Sequence, residues 1–248
     1  LALFKLSKAK KGCIAIKEDK KKQIEDLKKT FEGTPIEIRT VPNIYPMGWE
    51  RTLVYELTGK RYNMLPIAAG MILNNASTAI ALGNAIDNGM PITHKYVTVS
   101  GDALKDPKNV YVPVGTKAHE IIEAVGGYKE GVDNVLLIAG GPMMGRTIPN
   151  DAFVIAPQNN GLTVLINKEE DEVACLRCGR CTTTCPSGLQ PVRIAAAGKS
   201  KDEATLNKLH VMDCIECGLC TYICPSKIAV TENVRRAKNF IRLQGGKK

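Results

Sequence analysis

The sequence predicts an α+β chain of several domains, and three observations carry that prediction. Apolar strands alternate with amphipathic helices over residues 12–90. β-forming residues dominate 95–166. The remainder reads as helical and holds eight of the nine cysteines, in two near-copies of one run. A chain of 248 residues is long enough for two domains, or three small ones.

In the first region Gly12–Lys17 is a short apolar strand. Lys21–Phe31 follows as a helix with Ile24, Leu27 and Phe31 at i, i+3, i+7 spacing, closed by Gly33. Ile36–Val41 is the next strand, and Glu50–Thr58 a helix that buries Leu53, Val54 and Leu57 and stops at Gly59. Gly70–Leu73 is expected as a third strand, and Thr78–Asn88 as a helix with Ala79, Leu82 and Ile86 inward. This alternation predicts a parallel, doubly wound sheet, in which ligands bind beyond the carboxyl ends of the strands. Two loops fall there, Asn43–Glu50 (N-I-Y-P-M-G-W-E) and Asn74–Thr78 (N-N-A-S-T). The second offers amides to a heteroaromatic ring or ribose and precedes a helix N-terminus suited to phosphate. Equally, Asn75 or Ser77 serves there as a plain helix cap. No G-x-G-x-x-G run is present.

Residues 95–166 alternate β-formers around the turn D-P-K-N. A short helix follows at Ala118–Val125, closed by Gly126–Gly127, and then a buried strand at Val135–Ala139. Further strands are expected at Phe153–Ile155 and Gly161–Ile166, which together make a small module of β-grasp type. G-G-P-M-M-G (Gly140–Gly145) is read as a turn that needs positive φ rather than as a binding loop.

The cysteine region carries the chemistry. C-L-R-C-G-R-C-T-T-T-C-P begins at Cys175, and C-I-E-C-G-L-C-T-Y-I-C-P begins at Cys214. Each is C-x-x-C-x-x-C-x-x-x-C-P, the ligand run of two-cluster ferredoxins, whose fourth cysteine serves the other cluster. The spacing therefore assigns Cys175, Cys178, Cys181 and Cys224 to one [4Fe–4S] cluster, and Cys214, Cys217, Cys220 and Cys185 to the other. Zinc sites more often use two separated C-x-x-C knuckles, and nothing points to the oxidising compartment that disulfides need. Arg177 and Arg180 lie among the ligands of the first cluster and Glu216 among those of the second. Their charges predict the higher reduction potential for the first. Pro191–Ala197, Asp202–His210 and Thr231–Leu243 are expected helices. The fold class is thus α+β and multidomain: a partial Rossmann-like α/β domain (1–93), a β-grasp module (94–167) and a helical two-cluster ferredoxin domain (168–248).

Composition excludes several classes. The formal charge of +9 falls to roughly +5 once eight thiolates and two cubane cores are counted. Such a basic surface suits an acidic redox partner or an anionic membrane face. No nucleic-acid motif accompanies it. The longest apolar stretch, Met64–Leu73, is broken by Pro66 and Gly70 and cannot span a bilayer. The opening L-A-L-F-K-L-S-K-A-K-K lacks the order of a signal peptide. Oxygen-sensitive clusters fit a reducing cytoplasm. Cys13 is expected in a strand core, His94, His119 and His210 have no ligand spacing, and no hydrolase triad or H-E-x-x-H appears.

With these stretches in place, the chain resembles the RnfC family, a component of the membrane-associated Rnf ferredoxin–NAD oxidoreductases. N-I-Y-P-M-G-W-E-R-T-L-V-Y-E-L-T-G, V-T-V-S-G-D-A-L-K-D-P-K-N-V-Y-V-P-V-G-T, G-G-P-M-M-G and the twin cysteine runs ending in R-R-A-K carry the likeness over essentially the whole length. The resemblance implies a flavin-binding Rossmann-like domain, an SLBB module of β-grasp type and a helical ferredoxin domain. It implies FMN contacts at Tyr45, Gly48, Glu50, Leu73, Asn74, Asn75 and Thr78, with Ser77 and Trp49 departing from the family's usual residues. The family's glycine-rich FMN/NADH loop belongs upstream of Leu1.

The resemblance further implies an electron-transfer role within the complex, with NAD(H) as substrate, FMN and two [4Fe–4S] clusters. The protein would sit peripherally on the cytoplasmic side of the membrane beside other Rnf-type subunits, with ferredoxin as a partner. A flavin-free two-cluster relay and an NADH-dependent cobalamin reductase share the domain plan.

Overall fold

The computed structural model describes residues 1–62, 65–168 and 171–245. Met64, which opens the longest apolar stretch, and the last residues of the basic tail, 246–248, lie outside them. The chain divides into two compact units, Leu1–Gly89 and Met90–Lys248.

In the first unit, β1 (Gly12–Lys17) and β2 (Ile36–Val41) pair in parallel from Gly12↔Ile36 to Lys17↔Val41. A parallel pair needs a crossover, and α2 (Lys21–Thr30) supplies it, with Ile24, Leu27 and Phe31 half-buried. After β2 comes α3 (Glu50–Thr58), stopped by Gly59 at φ 68°; it buries Val54, which joins Val41 and Met47 among the unit's buried apolar residues. α1 (Ala2–Ser7) was not foreseen from the sequence.

Two expectations for this unit are corrected. Gly70–Leu73 is not a strand. Gly70 sits at φ 71° closing a 3-10 turn over Pro66–Ala69, and Asn75 already caps the next helix. Too few residues remain between these turns to build a ladder. That helix, α4 (Ala76–Asn88), does not turn Ala79 and Ile86 inward: Ala79 is exposed, Ile86 is 54% exposed, and only Leu82 is half-buried. Helical spacing marks an apolar stripe, but burial requires a sheet face opposite it.

The second unit opens on a five-stranded sheet of order β4-β3-β7-β5-β6. Its strands are β3 (His94–Ser100), β4 (Lys108–Pro113), β5 (Val135–Ala139), β6 (Arg146–Ile148) and β7 (Gly161–Ile166). β3 and β7 run parallel from Thr98↔Gly161; the other pairings are antiparallel. Helix α5 (Ala118–Ala124) lays Ala118, Ile121 and Ile122 on the sheet. Val97, Val99, Ala103, Leu104, Val125, Leu137, Ile155, Leu162 and Val164 complete that core. Phe153–Ile155 is corrected from a strand to a single bridge, Lys117↔Val154. Its amides are spent on the turn before α5: the N–H of Ile155 donates to Thr116 O (2.9 Å), and Phe153 O accepts from Ala118 N (2.8 Å).

The helical remainder comprises α6 (Arg180–Thr183), α7 (Pro191–Lys199), α8 (Glu203–Lys208), α9 (Leu219–Tyr222) and α10 (Val230–Gly245). Val230, Val234 and Ala237 form the buried stripe of α10. They pack with Ile194, Ala197, Leu206 and Val211 into a second core, which also takes in Cys185, Cys214, Cys220 and Cys224.

Candidate iron–sulfur and flavin sites

The two cysteine runs fold alike. Arg177 and Glu216 occupy equivalent left-handed positions (φ 55° and 56°), followed by Gly179 and Gly218 (φ 76° and 83°). Consecutive left-handed turns direct amides inward. The N–H of Arg177 donates to Cys175 Sγ and that of Glu216 to Cys214 Sγ, both at 3.4 Å, and Leu189 N–H donates to Cys185 Sγ at 3.4 Å. Such amides suit thiolates that carry negative charge. Short helices α6 and α9 then present Cys181 and Cys220.

Local likeness ends at the surroundings. Cys175 and Cys178 are exposed and Cys181 is half-buried, whereas Cys217 is buried with Cys214 and Cys220 partly covered. Cys185 of the first run joins Cys214, Cys217 and Cys220 around one cavity, whose apolar walls include Leu189, Ile194, Ile215 and Val234. Cys175 is tied to the segment after Cys224: Val173 N–H donates to Ser226 O, and Ser226 Oγ donates to Ala174 O, each at 3.1 Å. Among the described residues no three Cys, His, Asp or Glu side chains converge as a single ion requires. Four sulfurs spread around a cavity, with amides aimed at them, fit a cubane rather than zinc.

Burial pushes the Cys214 thiol up to about 11, and burial likewise raises Cys217 and Cys220. A cluster bound there would supply the positive charge that favours their thiolate forms.

Glu216 is not the bare anion expected from the sequence. Lys238, whose side chain is 7% exposed, places Nζ 2.6 Å from Glu216 Oε1 and 2.7 Å from Cys214 O. Arg235 Nε lies 3.1 Å from Glu216 Oε2. Burial raises the Glu216 carboxyl, but Lys238 and Arg235 more than offset this and hold it below its ordinary value. The charge contrast read from the sequence is thereby reduced. One acid in the second loop is answered by two cations from α10.

Around the other predicted site, Tyr45, Gly48 and Glu50 lie in and just after the loop that follows β2, with Tyr45 46% exposed and Gly48 and Glu50 exposed. Asn74, Asn75 and Thr78 are exposed and Leu73 is half-buried. Asn75 caps α4: its Oδ1 accepts from Ser77 N–H (3.0 Å) and Ser77 Oγ (2.8 Å), a role that does not use its amide nitrogen. Cys13 is exposed, not in a core. The Gly140–Gly145 segment is a turn, with Gly140 at φ 112°, but it also packs: the Met143 carbonyl rests on Gly218.

A mixed α/β chain that ends in paired cysteine loops around a sulfur-lined cavity is an iron–sulfur protein of the dicluster class. Residues 1–84 match the Nuo51 FMN-binding domain, 96–147 the SLBB domain and 167–225 the 4Fe-4S dicluster domain. The chain is 36% identical over 202 residues to the C component of the proton-translocating ferredoxin:NAD(+) oxidoreductase complex of Clostridium ljungdahlii, covering 79% of this chain and 44% of that protein. It is 37% identical over 190 residues to the C component of the ion-translocating oxidoreductase complex of Rhodobacter capsulatus (74% and 36%). It is 33% identical over 192 residues to the C component of the Na(+)-translocating ferredoxin:NAD(+) oxidoreductase complex of Acetobacterium woodii (75% and 43%). The chain belongs to this RnfC family, and it spans less than half the length of these curated relatives. A chain of an NAD+-reducing [NiFe]-hydrogenase shares the fold (TM-score 0.54, 16% identity, 95% of this chain and 48% of that one).

Proposed function

We propose that the chain is the electron-conducting part of an Rnf-type ferredoxin–NAD oxidoreductase, organised as modules 1–93, 94–167 and 168–248. Cys175, Cys178, Cys181 and Cys224 hold one [4Fe–4S] cluster, and Cys214, Cys217, Cys220 and Cys185 hold the other. The observation that carries this reading is the cavity that joins Cys185 to the three cysteines of the second run. FMN, when bound, supplies the conversion between hydride and single-electron chemistry. The chain's part is to hold and orient: the Asn43–Glu50 loop and the Asn75 amide toward flavin, and the sulfurs at fixed separation for one-electron steps.

Exposure orders the clusters. The first run lies at the surface and exchanges electrons with partners, which are other members of the complex or an acidic ferredoxin attracted by Arg177 and Arg180. The second is the inner relay. No helix among the described residues is long and apolar enough to cross a membrane. The relatives' membership of multi-subunit complexes supports a peripheral position on the cytoplasmic face beside membrane subunits.

Anaerobic reconstitution of the full-length protein, with iron, sulfide and flavin counted on one sample, tests the proposal. About eight irons and one FMN are expected. Zinc without sulfide overturns the cluster reading, and eight irons without FMN reduces the function to a flavin-free relay.

A further inference from the structure

The second cysteine run differs from the first in what reaches its sulfurs from the following helix. Thr231, 6% exposed at the start of α10, places Oγ1 3.2 Å from Cys220 Sγ. Its orientation is set by Thr221: the N–H of Thr231 donates to Thr221 Oγ1 (2.8 Å), and Thr221 Oγ1 donates to Thr231 Oγ1 (2.9 Å). Thr231 Oγ1 thus accepts from Thr221, and its own proton is left for the sulfur, which as a cluster thiolate can only accept. Two turns further along the same face of α10, the Lys238 ammonium sits on the Cys214 carbonyl and Glu216.

The first run is a control within the same chain. Thr231 stands seven residues after Cys224; the same offset from Cys185 reaches Val192, which has no hydroxyl. Lys238 stands fourteen after Cys224, and the matching residue, Lys199, is exposed. Thr182 matches Thr221, so the first run keeps the leading threonine but lacks the one that reaches sulfur.

We propose that Thr231 and Lys238 are positioning residues that raise the reduction potential of the cluster on Cys214, Cys217, Cys220 and Cys185. This rests on the cluster assignment above. Reduction adds one electron to the cluster core, with no bond made or broken in the protein. Burial opposes the added negative charge, while a hydroxyl donor on a cysteine sulfur and a buried cation favour it. The charges around the cation are Glu216, Glu232, Arg235, Arg236 and Lys238, which together leave one positive charge in excess. Together these groups keep the inner relay reducible despite its cover.

The test is an EPR-monitored titration of the reconstituted full-length protein with dithionite. Iron and sulfide are counted first, so that absence of clusters in the wild type rejects the assignment and not this proposal. Thr231→Val keeps the side-chain volume and removes the hydroxyl. It is expected to leave one cluster about tenfold less reduced at the same ambient potential, about 59 mV for a one-electron couple, with the other unchanged. Lys238→Met should move the same signal, and Thr231→Ser should restore the wild-type value. Unshifted potentials in Thr231→Val with full iron content overturn the proposal, as does a Thr231→Ser shift as large as that of valine. Should Thr231→Val lose iron, Thr231→Ala, which also removes the hydroxyl, decides: a lowered potential of one signal alone supports the proposal, and two unshifted potentials overturn it.

Discussion

Gly218 lies against the backbone carbonyl of Met143, so close that a Cβ on Gly218 would overlap it. The G-G-P-M-M-G turn, fixed by Gly140 N–H to Gly161 O (2.8 Å) and Thr163 Oγ1 to Gly140 O (2.8 Å), is thereby a cover for the second cysteine loop.

Gly218→Ala collides with that carbonyl and also forces an alanine to φ 83°. Its counterpart Gly179, at φ 76°, has open space around it, so Gly179→Ala meets only the backbone penalty of about 1 kcal/mol. Gly218→Ala is expected to lose about half of the bound iron and one of two EPR signals, with Gly179→Ala near wild type in iron content.

Removing the acid beneath Lys238 strands a buried cation. Glu216→Gln should destabilise the protein by about 2 kcal/mol in anaerobic urea denaturation followed by circular dichroism. The Glu216 carboxyl is held below its ordinary value of 4.5, so its contribution is complete above that pH and is lost as pH falls through the depressed folded value. The gap between wild type and variant should accordingly stay constant from neutral pH to about 5 and close only in stronger acid.

Ser226 is 1% exposed and holds the strand of chain that leads into Cys175. Ser226→Ala removes one buried hydrogen bond, worth about 1 kcal/mol, and leaves the Ala174 carbonyl with one partner fewer. Faster loss of iron to a chelator is expected from the first cluster only, read as the decay of one EPR signal ahead of the other.

At Asn75 the cap and the flavin contact use different atoms. Asn75→Asp keeps the Oδ1 cap and removes the amide donor, whereas Asn75→Ala removes both and costs about 1 kcal/mol of helix stability. In the full-length protein Asn75→Asp should lower FMN occupancy with unchanged thermal stability, and Asn75→Ala should lower both. Flavin fluorescence after denaturation measures the first, and calorimetry the second.

Much of the architecture was legible in the residues because it is set over short range. The bounds of β1, β2, α3 and β7 follow from apolar periodicity and from stops such as Gly59. The capping of α4 by Asn75 was one of two roles open to that loop. The absent strand at Gly70–Leu73 and the exposed Ile86 were not legible, since strand and stripe both depend on a neighbour that local pattern does not reveal. Nor was the partnership of Glu216, whose cations come from α10, some twenty residues along the chain.

The cysteine spacing by itself pointed to the iron–sulfur chemistry that the match of residues 167–225 to a 4Fe-4S dicluster domain supports. Only the tertiary structure decided that the two cubes differ. Runs of the same spacing and the same backbone turns end in opposite surroundings, because Met143 and α10 close over one loop while the other keeps Cys175 and Cys178 exposed. A thiolate's place in the ligand set is local geometry. The dielectric, hydrogen bonds and charge around it come from residues brought together by folding.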